Sequence, residues 1–247
     1  MSHAALMASY ANPMIVCDSA DFDGTLNKMD RVALVGAADS KSAILSAWIR
    51  LDGDDGGVQR FLQGVEGTVQ FLFLRGTVNT FRISADNAAS TEILLLASDT
   101  AYTTSATWLH LLVSWDLAAA AAHLYVNDVE DLAAGPTLTN DTIDYTLADW
   151  DFGVAGALIN GCLAEFYFAP GQYFDFSIVS NRRKFISASG KPVHLGTTGA
   201  LPTGTAPLVY QHLDDGEAVA NFATNRGTGG NFTIGGTLAT GSTSPSD

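Results

Sequence analysis

The chain has 247 residues, a net charge of −14 at pH 7, 47 % hydrophobic residues and only 15 % charged ones. This length fits a single all-β domain, and the 24 glycines favour turn-rich β structure over exposed helices. The negative charge opposes contact with phosphate backbones and anionic lipids, so the composition argues against a nucleic-acid or membrane partner. The sequence also lacks the apolar run of about 18 residues that a transmembrane helix needs.

Residues 1–13 are small and polar, and we interpret them as an N-terminal arm outside the folded domain. Within the arm, Leu6, Met7 and Tyr10 are candidate assembly residues that would dock on a neighbouring molecule. The segment has neither the basic start nor the long apolar core of a secretory signal, which predicts synthesis in a reducing cytoplasm.

The two cysteines, Cys17 and Cys162, are far apart in sequence, and each lies in an apolar run. That placement favours buried thiols over a bridge, although the sequence leaves their pairing open.

Alternating apolar residues predict strands over residues 44–51, 69–74, 80–84 and 92–97. A further strand begins near residue 107, with Leu111 and Trp115 on one face and Trp108 and His110 on the other. Its return strand ends at the turn-forming pair Asn127-Asp128, which predicts a β-hairpin. In that hairpin His110 would face His123, as a hydrogen-bonded structural pair rather than a metal site.

Three carboxylates follow the first of these strands in a glycine-rich loop. Asp52, Asp54 and Asp55 could gather oxygens around Ca²⁺, although no glutamate follows at an EF-hand position. The alternative is a solvated turn. Calcium is therefore the only cofactor for which the sequence offers a candidate, and none is required.

A second hairpin is predicted from residues 150–168, with Asn160-Gly161 as its tight turn. At its start, Trp150 lies between Asp149 and Asp151, and an exposed indole there could stack on a sugar ring. The alternative is that Trp150 fills the core or its rim.

The C-terminal third predicts one helix over residues 175–187 and strands over residues 208–210 and 231–238. The basic run Arg182-Arg183-Lys184 is interpreted as a solvated helix face or as ion-pair partners. We expect residues 14–240 to form a single domain and residues 241–247 a flexible tail.

Several phrases, WLH at 108–110, SWD at 114–116, LYVND at 124–128 and NGCLAEFYF at 160–168, resemble the core of laminin-G-like domains. That resemblance implies a concanavalin A-like jelly roll, a two-sheet antiparallel β-sandwich. One departure is Asp128, where the family usually has glycine; aspartate tolerates the left-handed backbone of such a turn. The phrases NRRKFI and GKPVHLG also resemble laminin-G-like proteins encoded by tailed bacteriophages.

Catalytic patterns are missing from the sequence. A glycosidase of this fold needs two carboxylates flanking one bond, and no E-x-D-x-E triplet occurs. Glu165 stands alone in its strand, where it is interpreted as a rim residue or ion-pair partner. We therefore expect a protein that is not an enzyme.

The resemblance and the composition together predict a structural protein of a tailed-phage virion, made in the host cytoplasm and placed on the virion surface. It would be a capsid decoration or another exposed head or tail component, a homo-oligomer bound to capsid or tail proteins. The alternative is a carbohydrate-binding or adhesion module, Ca²⁺-dependent or not, whose partner is a surface glycan.

Overall fold

The computed structural model describes residues 14–247, which form two antiparallel β-sheets around a shared core. The strands are β1 (Ala20–Asp23), β2 (Lys28–Val32), β3 (Ser42–Leu51), β4 (Gln59–Glu66), β5 (Val69–Arg75), β6 (Phe81–Asp86), β7 (Glu92–Ala97), β8 (Ser105–Asp116), β9 (Ala121–Val126), β10 (Val129–Glu130), β11 (Thr137–Leu138), β12 (Asp149–Phe152), β13 (Asn160–Pro170), β14 (Val209–Gln211), β15 (Thr233–Gly235) and β16 (Ala239–Thr240). The helical segments of this range are α1 (Val179–Arg182) and a 3-10 helix (Val219–Ala223).

The first sheet has the strand order β10-β9-β8-β3-β13-β1-β16, with β14 also paired to β13. The second sheet has the order β11-β7-β6-β5-β4-β12-β2-β15. Strands that neighbour each other in space are often distant in sequence, as in a jelly roll. The predicted all-β, concanavalin A-like sandwich is confirmed.

Aromatic residues fill the space between the sheets. Phe71 of the second sheet lies 4.8 Å from Phe168 of the first, measured between ring centroids, and it also packs against Trp115 and Trp150. All four side chains are fully buried. Burial of such large apolar surfaces is the main stabilising contribution to a sandwich of this kind.

The first predicted hairpin is present as β8 and β9, but the two histidines do not face each other. Ser114 lies opposite His123 in the register, while His110 contacts Ser46 of β3. His123 lies instead beside Tyr173, with 3.2 Å between its Nε2 and the phenol oxygen.

The second predicted hairpin is wrong. β12 pairs with β2 and β4 in the second sheet, whereas β13 pairs with β1, β3 and β14 in the first. Asn160 and Gly161 begin β13 and make no turn. Gly161 is needed there for another reason, because a Cβ at this position would lie 2.0 Å from the carbonyl oxygen of Arg50.

A second layer covers part of the outer face of the first sheet. Phe176, Phe185 and Val193 pack on Ile44 and Tyr167, and all five are buried. These residues come from the segment 172–208, here called the cover segment. The first sheet is therefore buried on both faces over its central strands.

The helix predicted over residues 175–187 is confined to α1. Phe176 and Phe185 must both reach the same cluster on the sheet, which a continuous helix would not allow. Within residues 14–247 no helix combines the length and the apolar character that crossing a bilayer requires.

The basic run makes ion pairs within the chain. Arg182 and Arg183 each lie 2.5 Å from the carboxylate of Asp128. Although burial opposes the shift, these hydrogen bonds lower the pKa of Asp128. Asp128 has a φ of 67°, so the turn is made as predicted, and its side chain fastens the cover segment to the β9–β10 turn.

Strands from the C-terminal third pair within both sheets: β14 with β13, β15 with β2, and β16 with β1. Residues 241–247, here called the C-terminal strip, lie against the domain. The Ser246 hydroxyl donates to the carbonyl oxygen of Cys17 at 3.2 Å, and Ser244 and Pro245 are buried. The flexibility expected for this segment stays a prediction, while its packing is a feature of the structure.

Candidate functional site

Two tryptophans meet on the outer face of the first sheet. In the β3–β8 register Trp48 lies opposite His110, and Trp108 lies two residues from His110 on the same face of β8. Trp48 and Trp108 belong to one hydrophobic cluster beside the cover segment. Trp48 is almost fully buried, whereas Trp108 is partly exposed.

A buried histidine on the neighbouring strand packs against Trp48. The rings of Trp48 and His110 lie 4.6 Å apart, and His110 Nε2 lies 2.9 Å from the hydroxyl of Ser46. Burial lowers the pKa of His110 to about 3, so its ring is neutral over the ordinary pH range. A neutral ring packs against the indole without the cost of a buried charge.

The C-terminal strip is fastened beside these aromatics by Arg50. The guanidinium of Arg50 donates to the hydroxyls of Ser242 and Thr243, at 3.1 and 2.7 Å, and is held in turn by Asp52. It also lies over the Trp108 ring, 5.9 Å from the centroid, and Trp108 Nε1 donates to Thr243. The strip therefore forms a fixed wall next to Trp108.

Together these elements enclose a cavity of about 290 Å³, here called the tryptophan pocket. Trp48 and Trp108 supply its aromatic lining, Asn127 lies in the β9–β10 turn, and Lys191 comes from the cover segment. Ser244, Pro245 and Asp247 of the C-terminal strip also line the pocket.

The polar groups of the pocket have donors and acceptors to offer. The Asn127 side-chain oxygen accepts from the His110 backbone at 2.8 Å, and its amide nitrogen has no partner among residues 14–247. Lys191 donates to the main-chain oxygen of Asp247, and the Asp247 carboxylate accepts from the backbone of Ser244 at 2.7 Å. An ammonium carries three protons, so this single bond leaves Lys191 with donors for a ligand.

The composition of the pocket suits binding better than hydrolysis. Hydrolysis of a glycoside ordinarily needs two carboxylates, one on each side of the scissile bond. Among the described residues that line the pocket, Asp247 is the only side-chain carboxylate. Aromatic faces flanked by a few oriented polar groups are typical of a small-molecule binding pocket.

The predicted sugar-binding tryptophan lies elsewhere. Trp150 is fully buried in the main core and has no face open to a sugar ring. Asp149 and Asp151, its neighbours on β12, point to the opposite side, and burial raises the pKa of Asp151. The core alternative therefore describes Trp150, and the three residues do not share a binding face.

The three loop carboxylates do not converge. Asp52 is bound by Arg50, with 2.7 Å between Nη2 and Oδ2, and Asp55 by Arg75, with 2.9 Å between Nη1 and Oδ1. Asp54 is exposed in a left-handed turn with a φ of 60°. Two of the candidate Ca²⁺ ligands are therefore already paired with arginines. The third, Asp54, lies in a solvated turn, as the alternative interpretation predicted.

Within residues 14–247, one group of side chains brings potential metal ligands together: Asp21, Asp52 and Cys162, with ligand atoms within 4.8 Å of one another. It is poorly suited to a cation, because Arg50 already binds Asp52. Burial raises the pKa of Cys162 to about 12, so the sulfur stays a thiol. Cys17 and Cys162 are both free and buried, as predicted.

Leu6, Met7 and Tyr10 lie outside the described residues, and their assembly role stays a prediction.

The comparisons with known proteins agree with this architecture. Residues 32–172 match the Laminin_G_3 family, described as the concanavalin A-like lectin/glucanases superfamily. The match spans more than half of the 247-residue chain, and the chain belongs to this family. No curated protein is similar enough in sequence to match.

Solved structures are similar in fold at low sequence identity. A candidate carbohydrate-binding protein from Bacteroides ovatus superposes with a TM-score of 0.61 at 12 % identity, over 93 % of this chain and 60 % of that one. This chain therefore spans less than two thirds of the Bacteroides ovatus protein. The heptameric SAP-like pentraxin of Limulus polyphemus has a TM-score of 0.48 at 10 % identity, over 68 % and 82 % of the chains. The botulinum neurotoxin serotype D binding domain has a TM-score of 0.49 at 12 % identity, over 78 % and 52 %.

Proposed function

We propose that this protein is a carbohydrate-binding module without catalytic activity, and that the tryptophan pocket is its binding site. The observation that carries the proposal is the placement of Trp48 and Trp108 at one pocket with the side chains of Asn127 and Ser244. The C–H face of a sugar ring packs on an indole, and its hydroxyls need paired donors and acceptors such as amides and hydroxyls provide. The description of the Bacteroides ovatus protein agrees with the proposal but supports only the fold.

The pocket is largely formed without a ligand. Trp48 is held by His110, Trp108 by Thr243 and Arg50, and Asn127 by the backbone of β8. A preformed site loses little side-chain entropy on binding, so a small ligand that makes few contacts, such as a sugar, can still bind.

The experiment is a glycan array followed by calorimetry on the sugars that bind. Trp108→Ala should weaken binding about tenfold or more, which corresponds to about 1.4 kcal/mol. Leu201→Ala is the matched control, because Leu201 is an exposed apolar residue, 54 % accessible, that does not line the pocket. Equal melting temperatures would show that both variants fold.

The proposal fails if no glycan binds, or if Trp108→Ala binds as tightly as the unchanged protein. Retained binding in Trp108→Phe, which keeps an aromatic face, would separate stacking from the indole N–H bond to Thr243.

The expectation of a tailed-phage virion component stays a prediction, as do the virion-surface location and self-assembly. A glycan-binding module on a capsid or tail surface would satisfy both interpretations. Light scattering after size-exclusion chromatography measures the oligomeric state, and co-sedimentation with purified capsids tests the partner.

A further inference from the structure

A second cavity adjoins the tryptophan pocket on the other side of the C-terminal strip. It has a volume of about 520 Å³ and is lined by Met14, Ile15, Val16, Ser189, Lys191 and Ser246. Lys191 lines both cavities. Pro245 and Asp247 of the strip contribute to the pocket, while Ser246 between them contributes to the second cavity. A ligand that extends from the pocket past Lys191 would therefore reach the second cavity.

The size of the tryptophan pocket limits what it holds alone. Its volume of about 290 Å³ lies just below the range for small-molecule sites, roughly 300 to 1,000 Å³. One sugar ring fits such a space better than a chain of rings. Further rings of a longer glycan would have to lie outside it.

The second cavity has the surface chemistry of a sugar subsite. Met14 and Val16 are 60 % and 65 % accessible and present apolar surface. The hydroxyls of Ser189 and Ser246 lie at the same cavity, where they donate to Met14 Sδ and to the Cys17 carbonyl oxygen and therefore face a ligand as acceptors. Apolar patches beside hydroxyls complement a sugar ring, which has C–H faces and a hydroxyl rim.

The charges at this junction favour a neutral ligand. Lys191 donates to the main-chain oxygen of Asp247, and the Asp247 side chain lines the same pocket, so the lining carries one cationic and one anionic side chain. The whole chain carries a net charge of −14, which repels polyanions at long range. Acidic groups on a ligand would therefore add no binding energy at this junction.

Building on the proposed function, we infer that the ligand is a neutral oligosaccharide of at least two sugar residues. Its terminal ring occupies the tryptophan pocket, and the next ring lies in the second cavity, with Lys191 hydrogen-bonded to hydroxyls at the junction.

The experiment compares the monosaccharide, disaccharide and trisaccharide of one neutral series by calorimetry with the full chain. The disaccharide should bind about tenfold tighter than the monosaccharide, equivalent to about 1.4 kcal/mol. Val16→Asp should remove that advantage and leave monosaccharide binding unchanged. Val35→Asp is the control, because Val35 is a similarly exposed valine, 61 % accessible, away from both cavities.

Equal affinities for the monosaccharide and the disaccharide, or a disaccharide advantage that survives in Val16→Asp, would overturn the second subsite while leaving the proposed function intact. A sialylated or sulfated glycan that binds at least tenfold tighter than its neutral counterpart, and more tightly at low salt, would overturn the neutral ligand. Absence of binding to any sugar would instead defeat the proposed function itself.

Discussion

Glu165 and His212 form a hydrogen-bonded pair in the interior, with the Glu165 carboxylate against His212 Nδ1. Glu165 lies at an irregularity in the β13–β3 register, where its φ is 47°, and it also accepts from the Tyr210 hydroxyl at 2.9 Å. On its other side His212 Nε2 lies 2.9 Å from Asp214, which Arg226 also binds. These hydrogen bonds connect Glu165 of β13 to Tyr210 of β14 and to His212, which follows β14.

The pair predicts a pH dependence of stability. Burial opposes protonation of His212, but the hydrogen bond and charge attraction from Glu165 and the hydrogen bond from Asp214 prevail and raise its pKa. Because the folded-state pKa exceeds the unfolded value of about 6.5, protonated His212 stabilises the fold fully below about pH 6.5. We expect the free energy of unfolding to fall as the pH rises from there through the raised pKa.

Urea denaturation at a series of pH values between about 6 and 9 measures this slope. His212→Gln removes the titrating group and should flatten the curve, whatever its effect on overall stability. His110 affects stability at acid pH instead. Its folded-state pKa of about 3 lies below the unfolded value, so the unfolded state binds the proton more readily and the free energy of unfolding decreases as the pH falls. An unchanged alkaline slope in His212→Gln would contradict the assignment.

Period-2 alternation was enough to predict most of the strands and the faces of their side chains. It placed Trp108 and His110 on the face opposite Leu111 and Trp115, and Trp108 is one of the two tryptophans of the pocket. The sequence could not show that the two tryptophans meet, because their meeting depends on the β3–β8 pairing and on a wall supplied by the distant C-terminal strip. The signal for the pocket that the sequence offered was one tryptophan on each of two long predicted strands.

Of the strands that the sequence pattern did not predict, β4 is the longest. A register shift between Arg60 and Leu62 puts adjacent Phe61 and Leu62 into the same core, which interrupts the alternation. Gly64 further weakens the pattern, yet it is required, since a Cβ there would lie 2.9 Å from the Trp150 ring. For Trp150 the sequence left a sugar site and a core position open, because its burial depends on β5 and β13 packing around it.

Gly161 gives a test of the corrected β12–β13 connection. Its φ is 146°, and a methyl group would meet the Arg50 carbonyl oxygen at 2.0 Å, so backbone must move to accept it. We expect Gly161→Ala to lower the free energy of unfolding by about 3 kcal/mol or more. Gly76→Ala is the control, because its nearest neighbouring atom would lie 3.8 Å away, and it should change stability by no more than about 0.5 kcal/mol. Equal stability of the two variants in urea would show that Gly161 is not constrained by the strand pairing.

Calcium should have little effect on this protein. Asp52 and Asp55 are engaged by Arg50 and Arg75, so binding a cation would require these ion pairs to break. The guanidinium groups would also repel the ion that replaced them. We therefore expect millimolar Ca²⁺ to shift the melting temperature by no more than about 2 °C, and Asp54→Ala to respond in the same way. A rise of many degrees with Ca²⁺ that disappears in Asp54→Ala would contradict this expectation and would make the Asp52–Asp55 loop a metal site.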